Sequence, residues 1–251
     1  MNTNAGNIFL YSTVKQREKM KNLIEKLIKL KNKYPLEDYF VWDIPSNVPI
    51  EIPNTLHNIY IKNIYLKEKL KTVLNDDKNL TNYYWIIQEW GGIKSFKQTQ
   101  NNDEKIIKFK QQLEKKKLTK DTFERISSFS KIASFLEPDK YAIYDSRVIY
   151  SLNWLLFNYT QNKELYPQPL GRNKELIQYD MTTIFNLSKQ NYSYRTYKEA
   201  YFDYCDLMIM LSKAVYNDFR PYQMEMLLFI LAPIEIIEDI KKNVTVNINN
   251  V

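Results

Sequence analysis

The chain has very few of the residues that hold protein-bound metals and clusters. It contains one cysteine, Cys205, and one histidine, His57. One thiol cannot form an intramolecular disulfide, and one thiol with one imidazole cannot complete a tetrahedral zinc site or ligate an iron–sulfur cluster. We therefore expect a protein that folds without disulfides and uses no metal or other cofactor.

Long apolar runs are also missing. No stretch approaches the roughly 20 residues that cross a bilayer, and the polar segment from Met1 to Leu10 lacks the apolar core of a secretory signal peptide. The sequence predicts a soluble, cytoplasmic protein with no membrane partner. A chain of 251 residues can bury a core of its own, and we expect a monomer.

Glycine is scarce, with four residues in the whole chain. No P-loop or dinucleotide-binding glycine pattern is present, so ATP- and NAD-dependent chemistry lose most of their support. The only double glycine, in Trp90-Gly91-Gly92, predicts a break or hinge. We place a division just beyond it, between an N-terminal helical and irregular region of unassigned role, residues 1–95, and a C-terminal region that carries the chemistry, residues 96–251.

Basic residues, by contrast, are in excess. The 36 lysines and arginines outnumber the 29 acidic residues, which gives a net charge of +7 and an isoelectric point of about 9.1. This balance makes a polyanion a natural partner, although solubility alone explains it equally well. The charge therefore favours nucleic-acid binding only in combination with a motif.

Apolar residues recur mostly at helical spacing, which predicts a mainly α-helical fold. Residues 20–30 form an amphipathic pattern, and further helices are expected from Asn58 to Leu74 and from Tyr83 to Glu89. The four prolines between Pro35 and Pro53 predict an extended, irregular segment on the surface. The lysine-rich residues 105–120 predict an exposed helix, and the tyrosines from Tyr194 to Tyr204 the buried face of another.

Residues 119–136 predict a short helix, a tight turn and a second helix. Asp121, with Glu124 three residues later, has the form of an N-cap with a capping box. Ser127, Ser128 and Ser130 are expected to interrupt that helix, and Ser130 to cap the next one. The second helix then contains Lys131, followed by the apolar positions Ile132, Phe135 and Leu136.

Asp145 is predicted to be the N-cap of the helix that follows. It comes after the short apolar stretch Tyr141–Tyr144 and precedes the apolar positions Val148, Ile149 and Leu152. The helix dipole and the free backbone N–H groups favour an ionised carboxylate at this position. Such an anion can stabilise developing positive charge.

These two segments resemble the helix-hairpin-helix DNA glycosylases, and in particular their 8-oxoguanine glycosylase branch. Residues 128–133, with Lys131, resemble the hairpin followed by a lysine, and residues 142–148, with Asp145, resemble the aspartate segment. The resemblance implies a two-lobed helical fold in which Lys131 attacks the sugar C1′ and Asp145 stabilises an oxocarbenium-like transition state. A lysine nucleophile also implies a Schiff base, and hence strand cleavage as well as base release.

A second resemblance lies in residues 220–229. The 8-oxoguanine branch has a glutamine that reads the extruded base and, four residues later, a phenylalanine that stacks on it. In this sequence Phe229 occupies the position of that phenylalanine, whereas Glu225 occupies the position of the glutamine. An ionised carboxylate only accepts hydrogen bonds, so Glu225 suits an exocyclic amine such as that of cytosine, or the amino edge of guanine.

The resemblance also implies residues that bind DNA phosphates. Ser128 and Ser130 replace the glycines of the family hairpin, which weakens the expected phosphate contact, and the interval from Lys131 to Asp145 is several residues shorter than in familiar members. Arg147 could reach a phosphate, or pair with Asp139 or Glu137 instead. The two proposed catalytic residues also have purely structural interpretations. Lys131 is then a surface lysine, and Asp145 is only a helix cap.

Together these residues predict a DNA glycosylase that acts on an extruded nucleotide of double-stranded DNA. The expected substrate is oxidised guanine or a modified cytosine, the latter including phage DNA attacked in antiviral defence. The main alternative is a helical module on the same scaffold that binds nucleic acid or a protein partner without catalysis. A metal-dependent nuclease has little support, because Pro138-Asp139 is not followed by a Glu-x-Lys cluster.

Overall fold

The structure is a computed structural model that describes residues 20–171 and 173–245, and in these ranges the chain is mainly helical, as predicted. The polar segment from Met1 to Leu10 lies outside the described residues. The elements, in chain order, are α1 (Lys21–Lys33), α2 (Leu36–Tyr39), α3 (Ile59–Leu74), α4 (Thr81–Trp85) with a π-helical turn (Ile86–Trp90), α5 (Gln100–Glu114), α6 (Lys120–Phe123), α7 (Ile126–Leu136), α8 (Ser146–Tyr159), β1 (Glu164–Leu165), α9 (Lys174–Gln178), α10 (Met181–Leu187), β2 (Ser193–Tyr194), α11 (Ala200–Tyr216), α12 (Tyr222–Leu231) with a second π-helical turn (Ala232–Ile236), and α13 (Ile237–Asn243).

The N-terminal helices follow the predicted pattern. Helix α1 buries Leu23, Leu27 and Leu30 on one face. Asn58 caps α3, because its side chain accepts hydrogen bonds from two backbone N–H groups of the first turn. The π-helical turn ends at Gly91, where the double glycine predicted a break. The proline-containing segment is irregular over most of its length, but it includes the short helix α2.

Helix α8 forms the centre of the fold and packs against α12, α1 and the second π-helical turn. Strands β1 and β2 add a two-residue parallel pair in which Glu164 faces Ser193 and Leu165 faces Tyr194. The buried apolar residues form one cluster that runs from Leu23 to Ile240. Residues on both sides of the predicted division at 95/96 therefore share one core.

The predicted turn at the serines is wrong. Helix α7 runs without interruption from Ile126 to Leu136, so Ser128 and Ser130 lie inside it. The turn falls earlier, at Glu124 and Arg125, and Thr119 rather than Asp121 precedes α6. Serine disfavours a helix interior only weakly, and burial of the surrounding apolar side chains outweighs that preference. The buried apolar residues of α7 are Ile126, Phe129, Ile132, Ala133 and Phe135.

The segment between α7 and α8 is held by tyrosines of α11. The Tyr201 hydroxyl donates to the carbonyl oxygen of Ala142, and the Tyr204 hydroxyl donates to that of Ile143, at 3.2 and 2.7 Å. Both phenols are buried, as the helical spacing of these tyrosines predicted, whereas Tyr194 lies outside α11 and is exposed. These bonds fix the backbone that leads to Asp145.

Candidate active site

One cavity is lined by the side chains for which the sequence predicted chemistry. Lys131, Asp145, Glu225 and Phe229 all border it, although they come from α7, the N-cap of α8, and α12. The empty space between these side chains is about 410 Å³, part of which is open to solvent. The remaining lining residues are Phe40, Trp42, Trp90, Gly91, Ile143 and Val148.

Lys131 lies in the middle of α7, where its side chain is almost completely buried. Its Nζ donates to the carbonyl oxygen of Ser127 at 2.7 Å and lies 3.7 Å from Oδ2 of Asp145. The methylene stem passes close to Gly91: a Cβ atom on that glycine would lie 2.7 Å from Cδ of Lys131. The glycine therefore leaves the space in which the lysine reaches the cavity.

Asp145 caps α8 as predicted. Its Oδ1 accepts a hydrogen bond from the backbone N–H of Arg147 at 2.9 Å, which leaves Oδ2 directed to Lys131. The side chain therefore lies at the N-terminus of α8, beside the amine of Lys131. One side chain thus combines the capping role with a position beside the amine, and the two interpretations of Asp145 are compatible.

Glu225 is buried and is held by a lysine of the N-terminal half. Its Oε2 accepts hydrogen bonds from the backbone N–H of Ile143 at 2.8 Å and from Nζ of Lys67 at 3.3 Å. Burial raises the pKa of Glu225, and the positive charge of Lys67 offsets part of that rise. Burial likewise lowers the pKa of Lys67, against the attraction of Glu225. Neither charge would be tolerated there alone.

Phe229 contacts both an aromatic side chain and an arginine. Its ring meets Trp42 edge to face, with ring centroids 5.5 Å apart. The guanidinium carbon of Arg147 lies 4.8 Å from the centre of the Phe229 ring, a cation–π contact. Within the described residues Arg147 forms no ion pair with Asp139 or Glu137, so neither predicted pairing occurs.

The cavity is also lined by two tryptophans, Trp42 and Trp90, that the sequence analysis did not assign to the site. The Trp42 indole N–H donates to the carbonyl oxygen of Trp90, and the Trp90 indole N–H donates to Oδ1 of Asn63. Asn63 is buried and also donates to the Trp42 carbonyl oxygen. These bonds fix two indole rings at the cavity. The proline-containing segment therefore carries one wall of the pocket.

Some of these residues left a signal in the sequence. Lys67 and Asn63 occupy positions of α3 that are spaced like its buried residues Tyr60, Leu70 and Leu74. A polar residue at such a position is costly unless it is paired, so the periodicity alone marks both for a specific partner. Trp42, Trp90 and Gly91 leave no comparable signal, since nothing in the sequence relates them to Lys131.

The predicted phosphate contacts of the serines are not retained. Ser130 is completely buried, and its Oγ accepts a hydrogen bond from the backbone N–H of Tyr144 at 2.9 Å. Ser128 is also buried within α7. Because neither hydroxyl lies on an exposed turn, the prediction that Ser128 and Ser130 bind a DNA phosphate is corrected. Their small side chains instead allow close packing around the site.

Over the residues that the structure describes, no group of three or more His, Cys, Asp or Glu side chains is arranged to hold a metal ion. Cys205 is buried in α11, and burial raises the pKa of its thiol to about 12. No helix in the described ranges is both long and apolar enough to cross a bilayer.

No protein-family model, curated protein or solved structure matches the chain.

Proposed function

We propose that the protein is a DNA glycosylase of the helix-hairpin-helix type, with Lys131 as the amine nucleophile and Asp145 as its carboxylate partner. The observation that carries the proposal is that Lys131, Asp145, Glu225 and Phe229, selected from distant parts of the sequence, line one cavity. The turn between α6 and α7 supports the fold assignment, although Lys131 lies deeper in its helix than the resemblance implied.

In the proposed reaction, the Lys131 amine bonds to C1′ of an extruded nucleotide as the C1′–N bond of the base breaks. The base leaves with the electron pair of that bond and takes up a proton, and the amine nitrogen loses one. Asp145, with Oδ2 at 3.7 Å from the amine, stabilises the positive charge that develops on the sugar. Opening of the sugar ring then gives a Schiff base, which permits strand cleavage.

The aromatic wall supports a planar ligand. A base has two faces and one polar edge, and the cavity combines Trp42 and Phe229 with the carboxylate of Glu225. Extrusion from the duplex is required, because the glycosidic carbon is inaccessible in stacked DNA. The net charge of +7 supports binding to the phosphate backbone. Oxidised guanine and modified cytosine, the latter in phage DNA, are the proposed substrates.

The test is a panel of duplexes that each contain one modified base, together with genomic DNA of phages with substituted cytosine, assayed for abasic sites. Borohydride should trap a covalent adduct with the active duplex, and the adduct should disappear in Lys131→Gln. Lys140→Gln is the matched control, because that lysine is partly exposed, pairs with Glu137 and does not line the cavity. Asp145→Asn should lose base release while the fold and DNA affinity are kept.

The results distinguish the proposal from its alternative. Base release without a trapped adduct would make the enzyme monofunctional and would contradict the nucleophile assignment. DNA binding without release of any base across the panel would favour a non-catalytic binding module. DNA affinity should fall linearly with salt concentration on logarithmic axes, because lysines that neutralise phosphates release counterions. Affinity that is insensitive to salt would contradict nucleic-acid binding altogether.

A further inference from the structure

Lys67 is a completely buried lysine in the N-terminal half of the chain. It lies in α3 at one of the positions that face the core, and its side chain has no exposed surface. Its ammonium group lies 5.4 Å from the ring centre of Phe135 and 5.8 Å from that of Trp90. A charge in such surroundings is costly unless a specific partner compensates it.

The hydrogen bonds of Lys67 connect α7, the helix that carries Lys131, with Glu225 of α12. Nζ donates to Oγ of Ser134 at 3.2 Å and to Oε2 of Glu225 at 3.3 Å. Ser134 uses its own proton on the carbonyl oxygen of Lys131, so its Oγ must accept from Lys67. A single side chain of α3 thereby ties α7 to α12 behind the cavity.

The two oxygens of Glu225 have different surroundings. Oε2 accepts from both Lys67 and the backbone N–H of Ile143. Oε1 accepts no hydrogen bond from the described residues and is not among the buried atoms that lack a partner, while the side chain lines the cavity. Oε1 is therefore the oxygen that a bound molecule can reach, and Lys67 determines its orientation.

We propose that Lys67 is a positioning residue that sets base specificity: it holds Oε2 of Glu225 so that Oε1 presents an acceptor to a base with an exocyclic amino group. This inference rests on the proposed function of the pocket. An acceptor-only edge selects a base that offers N–H donors and disfavours one that presents a carbonyl oxygen. The substrate class is accordingly an amino-bearing base, such as a cytosine or guanine derivative.

Removal of Lys67 should reverse this selection. Without the ammonium, desolvation of the buried Glu225 carboxyl is no longer offset by its strongest cation, so the pKa of Glu225 rises further and the protonated form is favoured. A protonated carboxyl donates one hydrogen bond and favours a base with a carbonyl oxygen at the same position. Lys67→Met should therefore change specificity in the same direction as Glu225→Gln, although Lys67 itself does not line the cavity.

The experiment compares two duplexes that differ only in one unpaired base, cytosine or uracil. Affinities are measured at constant salt by quenching of tryptophan fluorescence, since Trp42 and Trp90 lie in the cavity. The wild type should bind the cytosine duplex about 10-fold more tightly, because a mismatched buried polar pair costs about 1–3 kcal/mol. Lys67→Met should reduce that ratio to about one or below. Lys71→Met, an exposed lysine of the same helix, should leave it unchanged.

The double variant Lys67→Met with Glu225→Gln buries no unpaired charge and should keep the fold if Lys67→Met does not. Its ratio of affinities for the cytosine and uracil duplexes should equal that of Glu225→Gln alone. A folded Lys67→Met protein that retains the wild-type ratio overturns the inference, as does a wild type that shows no preference between the duplexes. Failure of the proposed function is a separate result: no duplex of the modified-base panel would then lose its base.

Discussion

The cavity has two walls of different chemical character. The C-terminal wall, from α7, α8 and α12, carries the ionisable groups Lys131, Asp145 and Glu225. The N-terminal wall, from the segment after α2 and the turn after α4, carries Phe40, Trp42, Trp90 and Gly91. The first wall offers charges and proton acceptors, and the second offers flat apolar surface.

Two of the three charged groups of the C-terminal wall are nevertheless positioned with help from the N-terminal half. Gly91 leaves room for the stem of Lys131, and Lys67 holds Oε2 of Glu225. Asp145 is the exception, since the N-terminus of its own helix holds it. The ionisable groups of the cavity thus come from the C-terminal half, whereas Gly91 and Lys67, which help to position two of them, come from the N-terminal half of the same core. Substitutions on the two walls should therefore fail in different ways.

The largest effect is expected from Gly91→Ala. The added Cβ would lie 2.7 Å from Cδ of Lys131 and 2.8 Å from the carbonyl oxygen of Ile87, so both the lysine stem and the end of the π-helical turn must shift. A displacement of about 1 Å at a reacting group can cost about 100-fold in rate. We expect a loss of that size in base release and in adduct trapping, with DNA affinity kept.

Gly92→Ala is the matched control for this prediction. A Cβ on Gly92 would meet nothing within 4 Å, but its φ of 65° disfavours any other residue. This variant should therefore lose about 1 kcal/mol of stability and keep its rate per folded molecule. Equal rates for the two variants would show that Gly91 does not position Lys131.

A smaller effect, on stability, is expected from Ser130→Ala. This substitution removes a buried hydrogen bond between α7 and the segment that leads to α8. The substitution leaves the buried backbone N–H of Tyr144 without its acceptor, and such a group costs about 1–3 kcal/mol. Urea unfolding should show that loss of stability. DNA affinity of the folded protein should stay unchanged, because the hydroxyl is buried. A lower DNA affinity with unchanged stability would restore the phosphate-binding interpretation.

The sequence predicted the C-terminal wall better than the N-terminal one, for a physical reason. Lysine and aspartate are chemically conspicuous, and the helical period that places Asp145 at an N-cap is local. The same local rules failed at the serines of α7, where tertiary burial overrides a weak preference. Trp42 and Gly91 act only through contacts with residues far away in the chain, which no local pattern encodes. Lys67 is an intermediate case. The helical spacing of α3 indicates that its position is buried, but no local pattern indicates that Glu225 is its partner.

Trp42→Leu should have an effect of about 10-fold on affinity for a duplex with an unpaired base. Stacking of a base on an aromatic ring contributes about 1–3 kcal/mol, and leucine keeps apolar volume without the ring. Phe229→Leu is the counterpart on the other wall, in edge-to-face contact with Trp42. We expect both variants to weaken binding of that duplex relative to a fully paired one, as measured by fluorescence anisotropy. A loss confined to Phe229→Leu would mean that the N-terminal wall only encloses the base.

The smallest effect is expected at the surface, where the segment around the start of α12 bonds to α3. Arg220, just before α12, bonds to Asp218 through Nε at 2.9 Å and also to Glu68 of α3. The Tyr222 hydroxyl donates to the same Glu68 carboxylate at 2.7 Å. Hydrogen bonds from Arg220 lower the pKa of Asp218. The pair is partly exposed, so Asp218→Asn should cost no more than about 1 kcal/mol after screening by solvent.

The contribution of Asp218 to the free energy of unfolding should depend on pH. A carboxyl whose pKa is lower in the folded state stabilises the fold above its unfolded pKa, and that contribution is lost as the pH falls through the folded value. The stability difference between wild type and Asp218→Asn should therefore be constant near neutral pH and vanish in acid below the usual aspartate range. Urea unfolding at a series of pH values measures it. A difference that persists in acid would assign the effect to the altered turn before α12 rather than to the charge of Asp218 that pairs with Arg220.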